Sequence, residues 1–303
     1  MLGVAALYFT ALNWFRQTGA AMITCLLYVC WYETSFWNHF ILTESLFLST
    51  TCFTLWTLSR IRSDGSWQRY LPVFVFLCLH LSLRPTGIIM WLAFFVFVVV
   101  QKIKTPNAWY FGVLFFLAFS FLWASNTMLY EYDLITSYAQ GEVIFLAGKT
   151  DYHELVIHSE TPLNLPEPHL APLLKPFVFF TDNPSYMLKL MGLKVFYFIA
   201  RVRPYYSITH NMIVLALFIP RYMLTLWTLF SNSALGRGTK SFFMVYVLGT
   251  LGTISLTIVD WDGRFFLPLI PLLFLLFGAG SYRLLLRIRP YFSAHFKGLS
   301  SKF

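Results

Sequence analysis

The sequence predicts an all-α protein that crosses a membrane several times, and three observations lead to this fold class. The 303 residues are 58% hydrophobic and only 12% charged, whereas soluble domains carry about 25% charged residues. The hydrophobic residues form apolar runs, several of them long enough to cross a bilayer as helices. One long polar stretch, residues 125–210, interrupts these runs. We therefore expect a helical membrane bundle with one external insertion.

The apolar runs define the predicted helices. In chain order they are residues 1–14, 20–36, 40–58, 70–83, 86–101, 108–124, 211–230, 241–259 and 265–282. The fourth and fifth runs are short for a full span of about 20 residues. They meet at Arg84-Pro85-Thr86-Gly87, where proline and glycine favour a turn. These two runs are therefore expected to form a pair.

Three domains follow from this order of segments. We expect an N-terminal transmembrane bundle over residues 1–124, an external insertion over 125–210, and a C-terminal bundle with a basic cytoplasmic tail over 211–303. Within the insertion, residues 187–201 mix three basic residues with apolar ones. That pattern suits a helix lying on the membrane surface, and an ordinary helix of the external domain fits it equally well.

The lysines and arginines of the short loops predict the orientation, because cytoplasmic loops are enriched in them. One set of alternate loops and the C-terminal tail hold 13 of the 22 basic residues, whereas the opposite short connections hold only Arg84 and Arg264. The first set is therefore assigned to the cytoplasm, and the insertion to the periplasm or lumen. We expect a multi-pass integral protein of the bacterial inner membrane.

Composition also excludes several classes of protein. All four cysteines lie in apolar segments, so neither a disulfide framework nor a zinc site is expected. The net charge of +9 is explained by the cytoplasmic loops and does not indicate a nucleic-acid partner. The sequence contains no nucleotide-binding or metalloprotease motif. The Asp-Trp-Asp run at 260–262 follows an apolar helix, so we expect no metal site there.

Three short motifs resemble one family of membrane enzymes. Thr43-Glu44-Ser45-Leu46-Phe47 begins a predicted helix, Leu83-Arg84-Pro85-Thr86-Gly87 forms the turn of the short pair, and Asp262-Gly263-Arg264-Phe265-Phe266-Leu267-Pro268 enters a late helix. In order and spacing, the chain is similar to the polyprenyl-phosphate-sugar-dependent glycosyltransferases of the GT-C fold. These include the protein O-mannosyltransferases and the lipid A aminoarabinose transferase. The resemblance implies a GT-C-like bundle.

The resemblance implies a reaction and its partners. A sugar would pass from a polyprenyl phosphate in the lipid bilayer to a glycan, lipid or protein acceptor on the external face. The leaving phosphate needs fixed cations, and arginine matches phosphate oxygens with two hydrogen bonds. The acceptor hydroxyl needs a carboxylate base. No cofactor is required, because the phosphate is already a leaving group.

Candidate residues follow from these needs. Arg264 and Arg84, both at the predicted outer surface, would bind the lipid phosphate, with His210 as a third candidate. Glu44 and Asp262 are the candidate catalytic carboxylates. Each has a structural alternative: Asp262 could orient Arg264, the arginines could lie at the lipid headgroups, and Glu44 could make a structural hydrogen bond. Arg221, mid-way along an apolar segment, is a weaker candidate.

The chain also departs from the family pattern at its start. Members carry one further helix and a first external loop with an aspartate proposed as the base, and nothing before residue 20 matches that loop. We therefore expect a truncated or split chain that is inactive alone, or a non-catalytic membrane partner of the same fold. A transporter or flippase is the remaining hypothesis, although no internal repeat supports it.

Overall fold

The structure is a computed structural model. It describes residues 2–32, 34, 43–61, 67–102, 115, 122, 126, 134–144, 155–231, 235–259 and 263–300, without the side chains of 102 and 290–300. In these residues the α-helices, in chain order, are α1 Leu2–Phe15, α2 Thr18–Val29, α3 Thr43–Ser59, α4 Leu71–Leu83, α5 Ile88–Lys102, α6 Leu134–Gln140, α7 Leu174–Asp182, α8 Pro184–Ala200, α9 Ile208–Ser231, α10 Arg237–Leu256 and α11 Ile270–Ser300.

These helices confirm the predicted all-α polytopic membrane fold. Among the described residues, three helical stretches are long and apolar enough to cross a membrane: Ile208–Ser231, Arg237–Leu256 and Leu267–Arg289. Most predicted segments agree with helices to within a few residues. The segment predicted over 108–124 lies largely outside the described residues. The last segment was predicted to end at 282, but α11 continues to Ser300, so the basic tail prolongs the helix.

The first of two compact units comprises Met1–Gln101, Phe218–Val245 and Phe266–Phe303. In it α2 packs along α11, α1 packs on α2 and α3, and α3 packs on α4. Small residues allow the closest of these contacts. A Cβ placed on Gly278 of α11 would lie only 2.7 Å from the Cα of Thr24 in α2. Such close approach is what stabilises helix pairs in lipid, where the hydrophobic effect does not drive association.

The α4–α5 connection turns as the sequence predicts. Arg84 leaves the helix in an extended conformation, with φ −151° and ψ 136°, because the proline that follows disfavours the helical region. Its backbone N–H still donates to the His80 carbonyl at 3.3 Å. A Cβ on Gly87 would lie 2.7 Å from that same carbonyl oxygen, so this tight turn requires glycine. Arg84 is therefore the last residue before this turn, at the C-cap of α4.

The second unit comprises Lys102–Leu217 and Tyr246–Phe265. Its described core is formed by side chains of three helices: Tyr138 of α6, Phe179 of α7, and Met187, Leu190 and Phe198 of α8. Two isolated β-bridges join its loops, an antiparallel one between Glu142 and Val156 and a parallel one between Ile144 and Val259. The second bridge pairs Val259, in the segment that follows α10, with Ile144.

Candidate functional site

A salt bridge joins two of the predicted site residues in the first unit. Nη2 of Arg84 donates a hydrogen bond to Oε1 of Glu44. Glu44 lies in the first turn of α3, where the helix dipole favours a negative charge, and is only 4% exposed. The Arg84 side chain is 16% exposed. The pair is therefore mostly withdrawn from water, which strengthens its attraction.

Aromatic contacts complete the surroundings of Arg84. The guanidinium carbon lies 5.4 Å from the centroid of the Phe47 ring, one helical turn after Glu44 on α3. His80, one turn before Arg84 and wholly buried, stacks on Phe47 with 3.8 Å between ring centroids. A carboxylate and a ring face thus orient the guanidinium. A guanidinium carries five N–H donors, so an arginine held in this way suits a phosphate.

Arg264, the first choice for the phosphate, lies in the second unit and is half-buried. It precedes the 3₁₀ turn Leu267–Leu269 and follows Gly263, which has φ +83°. This left-handed conformation favours glycine. A Cβ at Gly263 would collide with the guanidinium of Arg201. The Arg201 guanidinium therefore lies next to Gly263, the residue that immediately precedes Arg264. Asp262, the other candidate carboxylate, lies outside the described residues.

His210 is exposed in the first turn of α9. Its ring lies 4.3 Å from that of Tyr206, between centroids, and its backbone N–H donates to Oγ of Ser207 at 3.2 Å. The imidazole is accessible to a ligand, and its contact with a lipid phosphate remains a prediction. The structure therefore brings Glu44 and Arg84 together in one unit and places Arg264 and His210 in the other.

Two buried cations have surroundings that the sequence did not predict. Arg221 of α9 is 3% exposed, and its guanidinium carbon lies 3.6 Å from the Trp31 ring centroid and 5.0 Å from that of Phe274. These cation–π contacts contribute to stabilising an arginine next to Pro220 in an apolar helix. Lys194 of α8 is one of the three basic residues in the stretch predicted either as a membrane-surface helix or as an ordinary helix of the external domain, and it is wholly buried.

Lys194 reaches a main-chain acceptor. Its Nζ donates to the Thr257 carbonyl at 2.5 Å and lies 5.1 Å above the Tyr138 ring centroid. Burial lowers the pKa of Lys194 to about 8, although the charge of Glu142 partly opposes this shift. In the sequence, the sole indication of this contact was a lysine within a run of mostly apolar residues. Its partner, 63 residues away, leaves no local signal.

The comparisons with known proteins give one match. Residues 1–123 match the family model described as dolichyl-phosphate-mannose-protein mannosyltransferase. This confirms the resemblance inferred from the short motifs, over the part of the chain that contains the first two of them. No curated protein and no solved structure matches. The match covers 123 of the 303 residues, so it shows what this N-terminal part of the chain is similar to.

Proposed function

We propose that the chain transfers a sugar from a polyprenyl phosphate to an acceptor on the external face of the membrane. The observation that carries this proposal is the salt bridge between the buried Glu44 and the half-buried Arg84. Both residues lie within the stretch that matches the family. A half-buried arginine that contacts a carboxylate and an aromatic ring is suited to bind an anion at the edge of a bilayer. The name of the matched family suggests mannose as the first sugar to test.

The proposed reaction is a displacement at the anomeric carbon. The acceptor hydroxyl oxygen forms the new bond to that carbon, and the bond to the phosphate oxygen breaks with its electron pair leaving on the phosphate. Arg84 stabilises the charge that develops there, and Arg264 and His210 are proposed as phosphate contacts from the sequence alone. A carboxylate accepts the hydroxyl proton. Because Glu44 already binds Arg84, we assign it first to orienting that arginine, which leaves Asp262 as the proposed base.

The setting of the reaction follows from topology. The chain is an integral membrane protein with apolar spanning helices. We propose that the insertion over 125–210 faces the periplasm of a bacterium, where it would meet a glycan, lipid or protein acceptor. The donor would reach the site within the bilayer, its phosphate at the headgroup level.

The test is a transfer assay with the full chain in lipid vesicles. A mannosyl polyprenyl phosphate and a cell-envelope acceptor fraction are supplied, and both sugar incorporation and released polyprenyl phosphate are measured. The sequence predicted a chain that is inactive alone, because no first-loop aspartate was found; with Asp262 proposed as the base, we instead expect transfer by the wild type. Arg84→Ala should lower the rate by about 10²–10³. Arg60→Ala, an exposed arginine at the other end of α3, is the matched control and should keep its rate.

Two results would contradict the proposal. Movement of the lipid-linked sugar across the bilayer without transfer would identify a flippase. Equal rates for wild type and Arg84→Ala would remove the arginine from the site.

A further inference from the structure

The segment that carries Arg264 is contacted twice by a single helix. After α10 ends at Leu256, residues 257–263 lead to Arg264. Lys194 of α8 contacts the first of these residues through the Thr257 carbonyl. Arg201, seven residues later and at the C-cap of α8, contacts Gly263. Lys194 and Arg201 thus contact the two ends of the segment that leads to Arg264.

At the Lys194 end, the contact satisfies the C-terminus of a membrane helix. The last carbonyls of a helix accept no hydrogen bond from within the helix, and they lie at the negative end of its dipole. Here the Lys194 ammonium binds the Thr257 carbonyl, and the Tyr138 hydroxyl donates to the Leu256 carbonyl. Tyr186 in turn donates to the Tyr138 carbonyl at 2.7 Å. The end of α10 is thus fixed by side chains of α6 and α8.

At the Arg201 end, the contact depends on the absence of a side chain. The Arg201 guanidinium occupies the space that a Cβ on Gly263 would need, and Gly263 has a positive φ. Between the two ends, the Val259 N–H donates to the Val143 carbonyl at 3.3 Å. The described part of the segment is therefore held at its start, near its middle and at its last residue before Arg264.

We propose that α8 is a clamp that positions Arg264, with Lys194 and Arg201 as its two positioning residues. The inference rests on the proposed function, because it assumes that Arg264 stabilises the leaving phosphate. A wholly buried ammonium is expensive to desolvate, and its hydrogen bond to the Thr257 carbonyl supports a role in fixing this segment. A displacement of about 1 Å in a charged catalytic group can lower the rate by about 10².

The clamp makes a specific kinetic prediction. Lys194→Met removes the ammonium and keeps most of the apolar stem. We expect kcat for sugar transfer to fall by about 10–10², with little change in the donor KM, because the substitution removes no group proposed to contact the donor. Lys189→Met, an exposed lysine of the same helix, is the matched control and should leave both constants unchanged.

A double variant distinguishes positioning from general structural damage. If Lys194 acts through Arg264, then Lys194→Met should have no further effect once Arg264→Ala is present. Gly263→Ala, which disturbs the other end of the clamp, should behave in the same way. If Lys194→Met lowers kcat equally with and without Arg264, or leaves kcat unchanged, the proposal is overturned.

Hydrogen exchange gives a readout that does not depend on activity. Lys194→Met should speed amide exchange over residues 256–265, and Lys189→Met should not. If the wild-type chain transfers no sugar, the proposed function fails, and this exchange measurement alone then decides whether the clamp exists. Unchanged exchange in Lys194→Met would show that it does not.

Discussion

Arg84 and Glu44 form a mostly buried ion pair between α4 and α3, across 40 residues of sequence. A charged hydrogen bond of this kind contributes about 1.5–3 kcal/mol, and removing one partner leaves the other charge buried. We therefore expect Glu44→Gln and Arg84→Met each to lower the free energy of unfolding in detergent. The double variant should be less destabilised than the sum of the two, because it leaves no lone charge. Strictly additive losses would show that the pair does not contribute as a unit.

The second prediction concerns Arg264. Arg264→Ala should lower sugar transfer by about 10²–10³, the usual loss when one donor to a developing anion is removed. Arg264→Lys should recover little, since an ammonium cannot replace the planar fork of a guanidinium. Arg237→Ala, at an exposed arginine at the start of α10, is the control. Full activity of Arg264→Ala would place the phosphate elsewhere.

The third prediction uses two helical glycines. Alanine at Gly278 would force α11 away from the backbone of Thr24, so we expect a destabilisation of about 1–3 kcal/mol. Alanine at Gly252 meets nothing within 4 Å and should be neutral or stabilising by up to about 1 kcal/mol, through helix propensity. Thermal unfolding of both variants in the same detergent measures the difference. The reverse order would disprove the close contact.

The fourth prediction is a pH dependence of stability. The pKa of Lys194 is about 8 in the folded chain, below its ordinary value of 10.5. Between these two pH values the unfolded chain binds the proton and the folded chain does not, so stability rises with pH in this window. The slope attributable to this lysine is at most about 1.4 kcal/mol per pH unit. The unfolding free energy of the wild type minus that of Lys194→Met should therefore increase from pH 8 to pH 10. A constant difference would show that the pKa of Lys194 is not lowered.

The fifth prediction concerns orientation. With the four native cysteines replaced, a single cysteine at Glu160 should react with an impermeant thiol reagent in intact cells, whereas one at Gly236 should react only after lysis. Both positions are exposed, so access to the reagent depends on the side of the membrane. The expectation rests on the lysine and arginine bias between loops. Labelling of Gly236→Cys alone would invert the topology.

The sequence predicted the features that depend on local chemistry. Apolar runs fixed most helices, and Pro85 with Gly87 fixed the turn that frees Arg84. The pairing of Arg84 with Glu44 could be anticipated only through motif resemblance, because Arg84 lies in the turn after α4 and Glu44 lies 40 residues earlier on α3. The contact between Lys194 and the Thr257 carbonyl could not be predicted. Every residue has such a carbonyl, so the acceptor has no signature in the sequence.

The short helices of the first unit have a consequence for how a bilayer accommodates them. α2 has 12 residues and α4 has 13, which gives them lengths of about 18–20 Å at 1.5 Å per residue. Both expose apolar side chains, Met22 and Leu26 on α2 and Leu71 and Phe74 on α4. The hydrocarbon core of a bilayer is about 30 Å thick. A helix shorter than the hydrocarbon core is accommodated by local thinning, by snorkelling of its flanking residues or by association with other helices. In the first unit α2 already packs on α1 and α11, and α4 packs on α3.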